Sequence, residues 1–407
     1  MRTPVTAFLL LLSLCLAAHA DPAPKVKLGV DVLRDQNFAP LANQRVGLVA
    51  NPASVDGNLI PTVDVLRGEK NVNLVALYGP EHGVWGDEYA GDKVDDRKDP
   101  TTGLPVFSLY GKTRKPTPEM LAGIDVLVFD LQDIGSRSYT YISTLQTCME
   151  ACAENNKTFV VLDRPNPLGG NRIEGGGVDP KLKSFVSHLD VPYLHGMTMG
   201  ELAKMVQATQ FPSYAKLVVI PMQGWTRDMV WDDTGLRWMP TSPHIPQSTS
   251  TWAYAATGVA GELSAISNGV GYTLPFEIVG SPKTDGAQLA EALRKFWPES
   301  PALRFRPVRF KPFYATFKTE PCQGVQILAD PRTAPSLLEI NYRLLEAMDA
   351  PALLAGAEKR FEMFDKVSGT DEARRILMEK GDLKPLFDRW KQKSEAFREK
   401  RKGWLLY

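Results

Sequence analysis

Leu74–Gly86 reads LVALYGPEHGVWG, and the fold follows from how that stretch ends. Five apolar residues of strand type, Leu74 to Tyr78, run into Gly79-Pro80, and Glu81, His82 and Gly83 come directly after the break. A carboxylate and an imidazole at the carboxyl end of a buried strand stand where open α/β sheets hold their ligands. The flanking glycines let the backbone bend there and let a ligand approach. Two further strands end alike: DVLVFD (Asp125–Asp130) opens into LQDIGSRSYTYI, and TFVVLD (Thr158–Asp163) into RPNPLGG. The chain reads as built to bring these three strand ends together.

Outward from this centre, strands and helices alternate. Arg45–Ala50 is an earlier strand stopped by Asn51-Pro52, and a helix runs from Pro61 to Gly68, with Pro at its start and Gly at its end. Asn73–Tyr78 is the second strand. Tyr139–Asn155 and Gly196–Gln207 are helices, the latter with a capping box of Thr198 and Glu201. Leu217–Pro221 is a fifth apolar strand, and Leu28–Asp31 is expected to meet the sheet edge. This alternation predicts an α/β fold with a doubly wound, mostly parallel sheet. Gly86–Lys115 is a polar, glycine-rich insertion holding a short strand at Pro105–Tyr110, long enough to be a flap beside a site. After Ser281 the texture changes to helix, strand and helix, which predicts a first domain over 25–280 and a smaller α/β domain over 281–407.

With 407 residues, 43% hydrophobic and 23% charged, the chain can bury a large core, and its net charge of zero gives no nucleic-acid footprint. Arg2, the apolar run Val5–Leu16 and Ala18-His19-Ala20 read as a secretory signal peptide over residues 1–20, so export to the periplasm or medium is expected. No later segment is long and apolar enough to span a membrane. Cys148, Cys152 and Cys322 remain after cleavage and are read as small buried hydrophobes.

Several residue types at the strand ends can do chemistry. Glu81, beside apolar Val84 and Trp85, is the first candidate for a proton donor, with His82 to orient it or touch substrate. Asp133 and Arg137 can point into the crevice, Arg137 as a bidentate grip on a carboxylate. Tyr139 and Tyr141 are placed to stack on or hydrogen-bond a ligand. Asp163-Arg164-Pro165-Asn166-Pro167 sets a charge pair and an amide on a stiff loop, with Arg164 and Asn166 as ligand contacts or as local scaffolding. His195, His244, Asn268 and Glu277 are secondary candidates. No G-x-G-x-x-G follows a strand, no H-E-x-x-H or C-x-x-C spacing occurs and no G-x-S-x-G elbow is present, so no cofactor and no metal ion are expected. The remaining profile, a carboxylate-rich, aromatic, arginine-bearing crevice in an exported chain, suits carboxyl acid/base cleavage of a carbohydrate with an acidic substituent. A non-catalytic periplasmic sugar-binding protein (a muropeptide binder, on the resemblance given next) is the alternative, and a metal-dependent hydrolase ranks third.

GPEHG (Gly79–Gly83), D-x-Q-D-x-G-x-R-x-Y-T-Y (Asp130–Tyr141), DRPNPLGG (Asp163–Gly170) and the terminal GWLLY (Gly403–Tyr407) together resemble the NamZ-type exo-β-N-acetylmuramidases. The resemblance implies a Rossmann-like domain with a smaller auxiliary domain and a cleft between them. It implies removal of terminal N-acetylmuramic acid from peptidoglycan-derived saccharides or muropeptides, with Glu81 as catalytic acid and Asp133, Arg137, Tyr139 and Asn166 in the same pocket. One segment departs from the family: where members carry E-G-T-N…G-R-G-T, this chain reads GELSAISNGVGYT (Gly261–Thr273), with Val270 or Gly271 in place of the arginine. The expected roles are catalytic for Glu81 and Asp133, and substrate-binding for His82, Arg137, Tyr139, Tyr141, Arg164, Asn166 and Asn268.

Overall fold

The computed structural model describes residues 25–89, 91 and 95–407, so the expected signal peptide lies outside the described residues. Seven strands form the main sheet: β1 (Arg45–Ala50), β2 (Asn73–Gly79), β3 (Arg97–Lys98), β4 (Pro105–Ser108), β5 (Val126–Asp130), β6 (Thr158–Leu162) and β7 (Leu217–Ile220). Their spatial order is β3-β4-β2-β1-β5-β6-β7, and every pairing is parallel except β3 with β4. The order reverses at β1, which pairs Val49 with Tyr78 of β2 and Ala50 with Asp130 of β5. A crevice opens at such a reversal because the connections leave on opposite sides of the sheet. The turns after β2 and β5 flank it.

Both faces are covered, as the near-continuous apolar runs of the strands require. Helices Gly29–Asp35 and Thr62–Gly68 pack on one face through Val30, Leu33, Val63 and Leu66. Helices Tyr141–Glu154 and Met199–Gln210 cover the other through Ile142, Leu145, Leu202 and Val206. The Thr198–Glu201 capping box is present. Leu28–Asp31 does meet the edge of the sheet at β7, as the start of a helix. Lys27 makes one bridge to Gln223, but the chain then turns into a helix whose first residue, Gly29, lies against the backbone of Leu162 and Asp163. A Cβ at that position would collide with β6, so glycine lets this helix butt onto the strand end.

A second, three-stranded antiparallel sheet has the order β8-β10-β9, with β8 at Ile278–Ser281, β9 at Leu303–Phe310 and β10 at Cys322–Ala329. Helix Gly286–Phe296 packs on it, and helix Thr249–Gly261 runs against helix Leu337–Ala347. One hydrophobic cluster continues from Phe129 and Leu145 of the first layer through Trp252, Val325 and Leu345 into Trp390. The fold is therefore α/β, with a mostly parallel seven-stranded sheet and a smaller second sheet. Cys148, Cys152 and Cys322 are buried free thiols, and among the described residues no helix is long and apolar enough to cross a membrane.

Candidate active site

The turn after β2 places Glu81 at the crevice. His82 takes a left-handed φ of 71°, uncommon for a residue with a side chain and frequent at functional turns. Its ring lies within hydrogen-bonding range of the Glu88 carbonyl at 3.1 Å. The Glu81 carboxylate accepts a hydrogen bond from Thr140 Oγ1 at 2.7 Å and another from the Gly91 amide at 3.1 Å. Thr140 stands at the N-cap position of the fourteen-residue helix Tyr141–Glu154 and gives its hydroxyl to Glu81 instead of capping the helix, so the carboxylate sits at the positive end of a helix dipole. Tyr110 also hydrogen-bonds Glu81, and burial with the Glu81 charge beside it pushes that phenol up to about 12.

Glu81 faces a cleft of about 380 Å³ closed on its far side by the second layer. His82, Tyr110, Ser138, Tyr139 and Thr140 line it from the first layer, and Tyr254, Glu262, Asn268, Val270, Phe276, Thr316 and Arg360 from the second. Tyr139 stacks edge-on against both Tyr141 (4.7 Å) and Tyr254 (6.0 Å). Its hydroxyl meets Thr241 Oγ1 at 2.8 Å, while that of Tyr141 donates to the Thr241 carbonyl at 2.8 Å. The aromatic wall is thus braced rather than loose. Glu262, at the end of helix Thr249–Gly261, is a second carboxyl in the same space. Burial and the nearby Glu81 charge push its pKa up, against the opposing pull of Arg360. Arg360 touches the Glu262 carboxylate at 3.2 Å and donates to its backbone carbonyl at 2.8 Å.

The expected site residues divide. Glu81, His82, Tyr139 and Asn268 line the cleft, and Tyr141 lies against its wall, 3.5 Å from the Glu81 carbonyl. Asp133, Arg137, Arg164 and Asn166 are not among the lining residues; each is nine-tenths or more buried and already engaged by the fold. Arg137 donates to the carbonyls of Gly176, Val191 and Val367 at 2.9–3.0 Å, which ties three segments together, and burial lowers its pKa to about 10. The Arg164 guanidinium forks onto Asp130 at 2.6 and 2.8 Å. Asn166 accepts from Leu168 N and donates to the Met197 carbonyl. Of the secondary candidates, His244 lines the cleft, whereas His195 is sealed, with burial lowering its pKa to about 3, and Glu277 accepts from Gln247 and Thr249.

Asp133 is a buried carboxyl with one oxygen bonded to the Gly135 amide at 2.7 Å and the other without a partner. Desolvation raises its pKa to about 7. Because the folded value lies above the unfolded one, its contribution to stability is complete below pH ~4 and is lost as pH rises through about 7. Asp133→Asn should therefore stabilise the protein by about 1–2 kcal/mol at pH 8 and change little at pH 5. Urea unfolding at the two pH values checks this, and equal effects at both would contradict it.

Glu262 and Arg360 were not among the sequence candidates. Glu262 had a faint signal in the glycine turn that follows it. Arg360 had none, since it lies in a charged carboxy-terminal stretch and reaches the cleft through a short turn at Glu358–Arg360. Among the described residues no cluster of three or more His, Cys, Asp or Glu side chains could hold a metal ion.

Two carboxyl groups facing one hydroxyl-rich, tyrosine-walled cleft are the equipment of a glycoside hydrolase. Comparison with known proteins specifies which kind. The family model of the exo-β-N-acetylmuramidase NamZ matches residues 46–249 with its N-terminal part and 252–407 with its C-terminal part. The peptidoglycan β-N-acetylmuramidase NamZ of Bacillus subtilis (strain 168) is 38% identical over 424 aligned residues, covering 100% of each chain. A DUF1343 family protein of Bacteroides fragilis NCTC 9343, known by crystal structure, superposes with a TM-score of 0.88 at 47% identity, over 95% of this chain and 100% of that one. A second from the same organism gives 0.71 at 29% identity, over 94% and 99%. The chain belongs to the NamZ family of glycoside hydrolases.

Proposed function

We propose that this protein removes a terminal N-acetylmuramic acid from peptidoglycan fragments, and that it does so after export. The observation that carries the reading is the pairing of Glu81 with Glu262 across one cleft, with Arg360 held against Glu262. A carboxyl whose proton affinity is raised by burial is suited to the acid role beside a second carboxyl in the same cleft. Glu262, the one pushed up, donates its proton to the glycosidic oxygen as the bond breaks. Glu81, fixed by Thr140, Gly91 and Tyr110, presents negative charge to the anomeric carbon as positive charge develops there. This reverses the role expected for Glu81 from sequence and replaces Asp133 by Glu262 as its partner. Water completes the hydrolysis, giving the free sugar and a chain shorter by one residue.

N-acetylmuramic acid differs from N-acetylglucosamine by a lactyl ether carrying a carboxylate. Val270 occupies the cleft wall in the segment where the family pattern has an arginine. Among the described lining residues the permanent positive charge comes from Arg360, half exposed and able to take a carboxylate in its fork. Arg360→Gln should raise KM for an aryl N-acetylmuramide about tenfold more than for the N-acetylglucosaminide analogue, the ~1.4 kcal/mol of a charge-assisted contact, over any loss common to both from the freed Glu262. Equal changes for both substrates would remove Arg360 from that role. Export is supported by the pattern of the first twenty residues, Arg2 with an apolar run and Ala18-His19-Ala20. The function itself is tested by incubating the purified protein with muropeptides ending in N-acetylmuramic acid and detecting the monosaccharide by mass. A folded protein that releases none overturns it.

A further inference from the structure

The loop Lys311–Pro321 joins β9 to β10 and does two things at once. Ala315 and Thr316 line the cleft beside Glu81 and Glu262, while the two residues before them turn outward. Phe313 is 65% exposed and Tyr314 47%, two large rings side by side on the surface. The loop is nevertheless rigidly held. Ala315, Phe317 and Thr319 all adopt left-handed φ of 60–65°, a strained arrangement for residues with side chains, kept in place by their surroundings. Phe317 packs toward Ile278, Phe310 and Cys322, and the Phe313 amide donates to the Gly271 carbonyl at 2.7 Å. Gly271, at φ 88°, lies so close to Tyr314 that any side chain there would strike the Tyr314 carbonyl. Tyr272 stacks on Phe313 with ring centres 5.8 Å apart and planes at 21°, and the Tyr314 hydroxyl meets His244 Nε2 at 2.8 Å.

Strain held by neighbours, with exposed rings aimed outward at the mouth of a cleft, marks a recognition surface rather than a packing accident. We infer that Phe313, Tyr314 and Tyr272 form a platform for the sugars beyond the scissile bond, the part of the glycan that leaves when the terminal residue is cut off. The inference rests on the glycosidase reading above and extends it from the terminal sugar to the chain behind it. Three features favour this occupant. The platform adjoins the cleft through Ala315 and Thr316, which line it and directly follow Phe313 and Tyr314 in the chain. Pyranose rings present flat C–H faces that lie well on aromatic rings, and a ring fixed beforehand costs little entropy to engage. The adjoining hollow of about 720 Å³ is flanked by Arg309 and Lys311, cations suited to a chain that carries lactyl or peptide carboxylates.

The test compares two substrates on the full-length protein. One is an aryl N-acetylmuramide, with no sugar beyond the bond; the other is a tetrasaccharide ending in N-acetylmuramic acid. Phe313→Ala should lower the ratio of kcat/KM for the tetrasaccharide to that for the aryl glycoside by about five- to tenfold, mostly through KM, and Phe313→Trp should restore it. An unchanged ratio overturns the platform. So does sedimentation showing a wild-type dimer that Phe313→Ala dissociates, since the rings would then belong to a contact between copies. If the wild type cleaves neither substrate, the hydrolase reading fails on its own account. The platform is then judged by calorimetric binding of the tetrasaccharide, which Phe313→Ala must weaken by the same factor or be rejected.

Discussion

Glu262→Gln should lower kcat/KM for a muropeptide by roughly 10²–10⁴-fold, the range of a lost general acid, and Glu81→Gln by at least as much. The two variants should part company on an aryl glycoside with an acidic leaving group. Such a phenolate departs without protonation, so Glu262→Gln keeps much of the wild-type rate. Glu81→Gln does not, because the charge facing the anomeric carbon is gone whatever the leaving group. The glutamine at position 262 still offers Arg360 an acceptor, so a loss of activity would not come from a disordered cleft. The opposite pattern, with Glu81→Gln spared on the aryl substrate, would exchange the two roles. Near-wild-type turnover of the muropeptide by Glu262→Gln would remove it from the chemistry, and attention would return to Asp133.

The second large effect is on stability. Asp130 and Arg164 are 0% and 3% exposed, and the guanidinium forks onto the carboxylate while also donating to the Val55 carbonyl at 2.8 Å. Thr62 Oγ1 completes the carboxylate's shell at 2.6 Å. Arg164→Met leaves that carboxylate buried without its counter-charge and should cost about 3–5 kcal/mol, read as a fall in the urea midpoint. Adding Asp130→Asn should recover a sizeable part, because the penalty lies in the orphaned charge rather than in the lost contact. If Arg164→Met instead raised KM with stability unaltered, the arginine would belong to the ligand after all.

How much of this was legible depended on the kind of interaction. The GPEHG turn, the DIGSR-to-YTY stretch and the RPNP loop do follow parallel strands of one sheet, β5 beside β6 and β2 one strand away across β1, since apolar runs closed by Gly, Pro and Asp record burial and chain reversal directly in residue order. Within those loops, though, residue type did not tell which side chains face solvent. An arginine suited to a substrate carboxylate is equally suited to three carbonyls, and Arg137 takes the carbonyls. Leu28–Asp31 was placed at the sheet edge, but that it arrives there as a helix start, with Gly29 seated closely on β6, was not legible in residue order.

The sequence by itself determined the alternation of strands and helices, the reversal of strand order they imply, the carboxylate at the end of β2 and the family to which the whole pattern is similar. These are local in the chain, written in hydrophobic period, turn chemistry and short motifs. Only the tertiary structure decided the partners of that carboxylate. Glu262 lies 181 residues after Glu81 and Arg360 a further 98 on, and no spacing rule links positions brought together by the docking of one sheet beside another. The proposed acid role of Glu262 likewise rests on burial and neighbouring charge, which exist only once the cleft is closed.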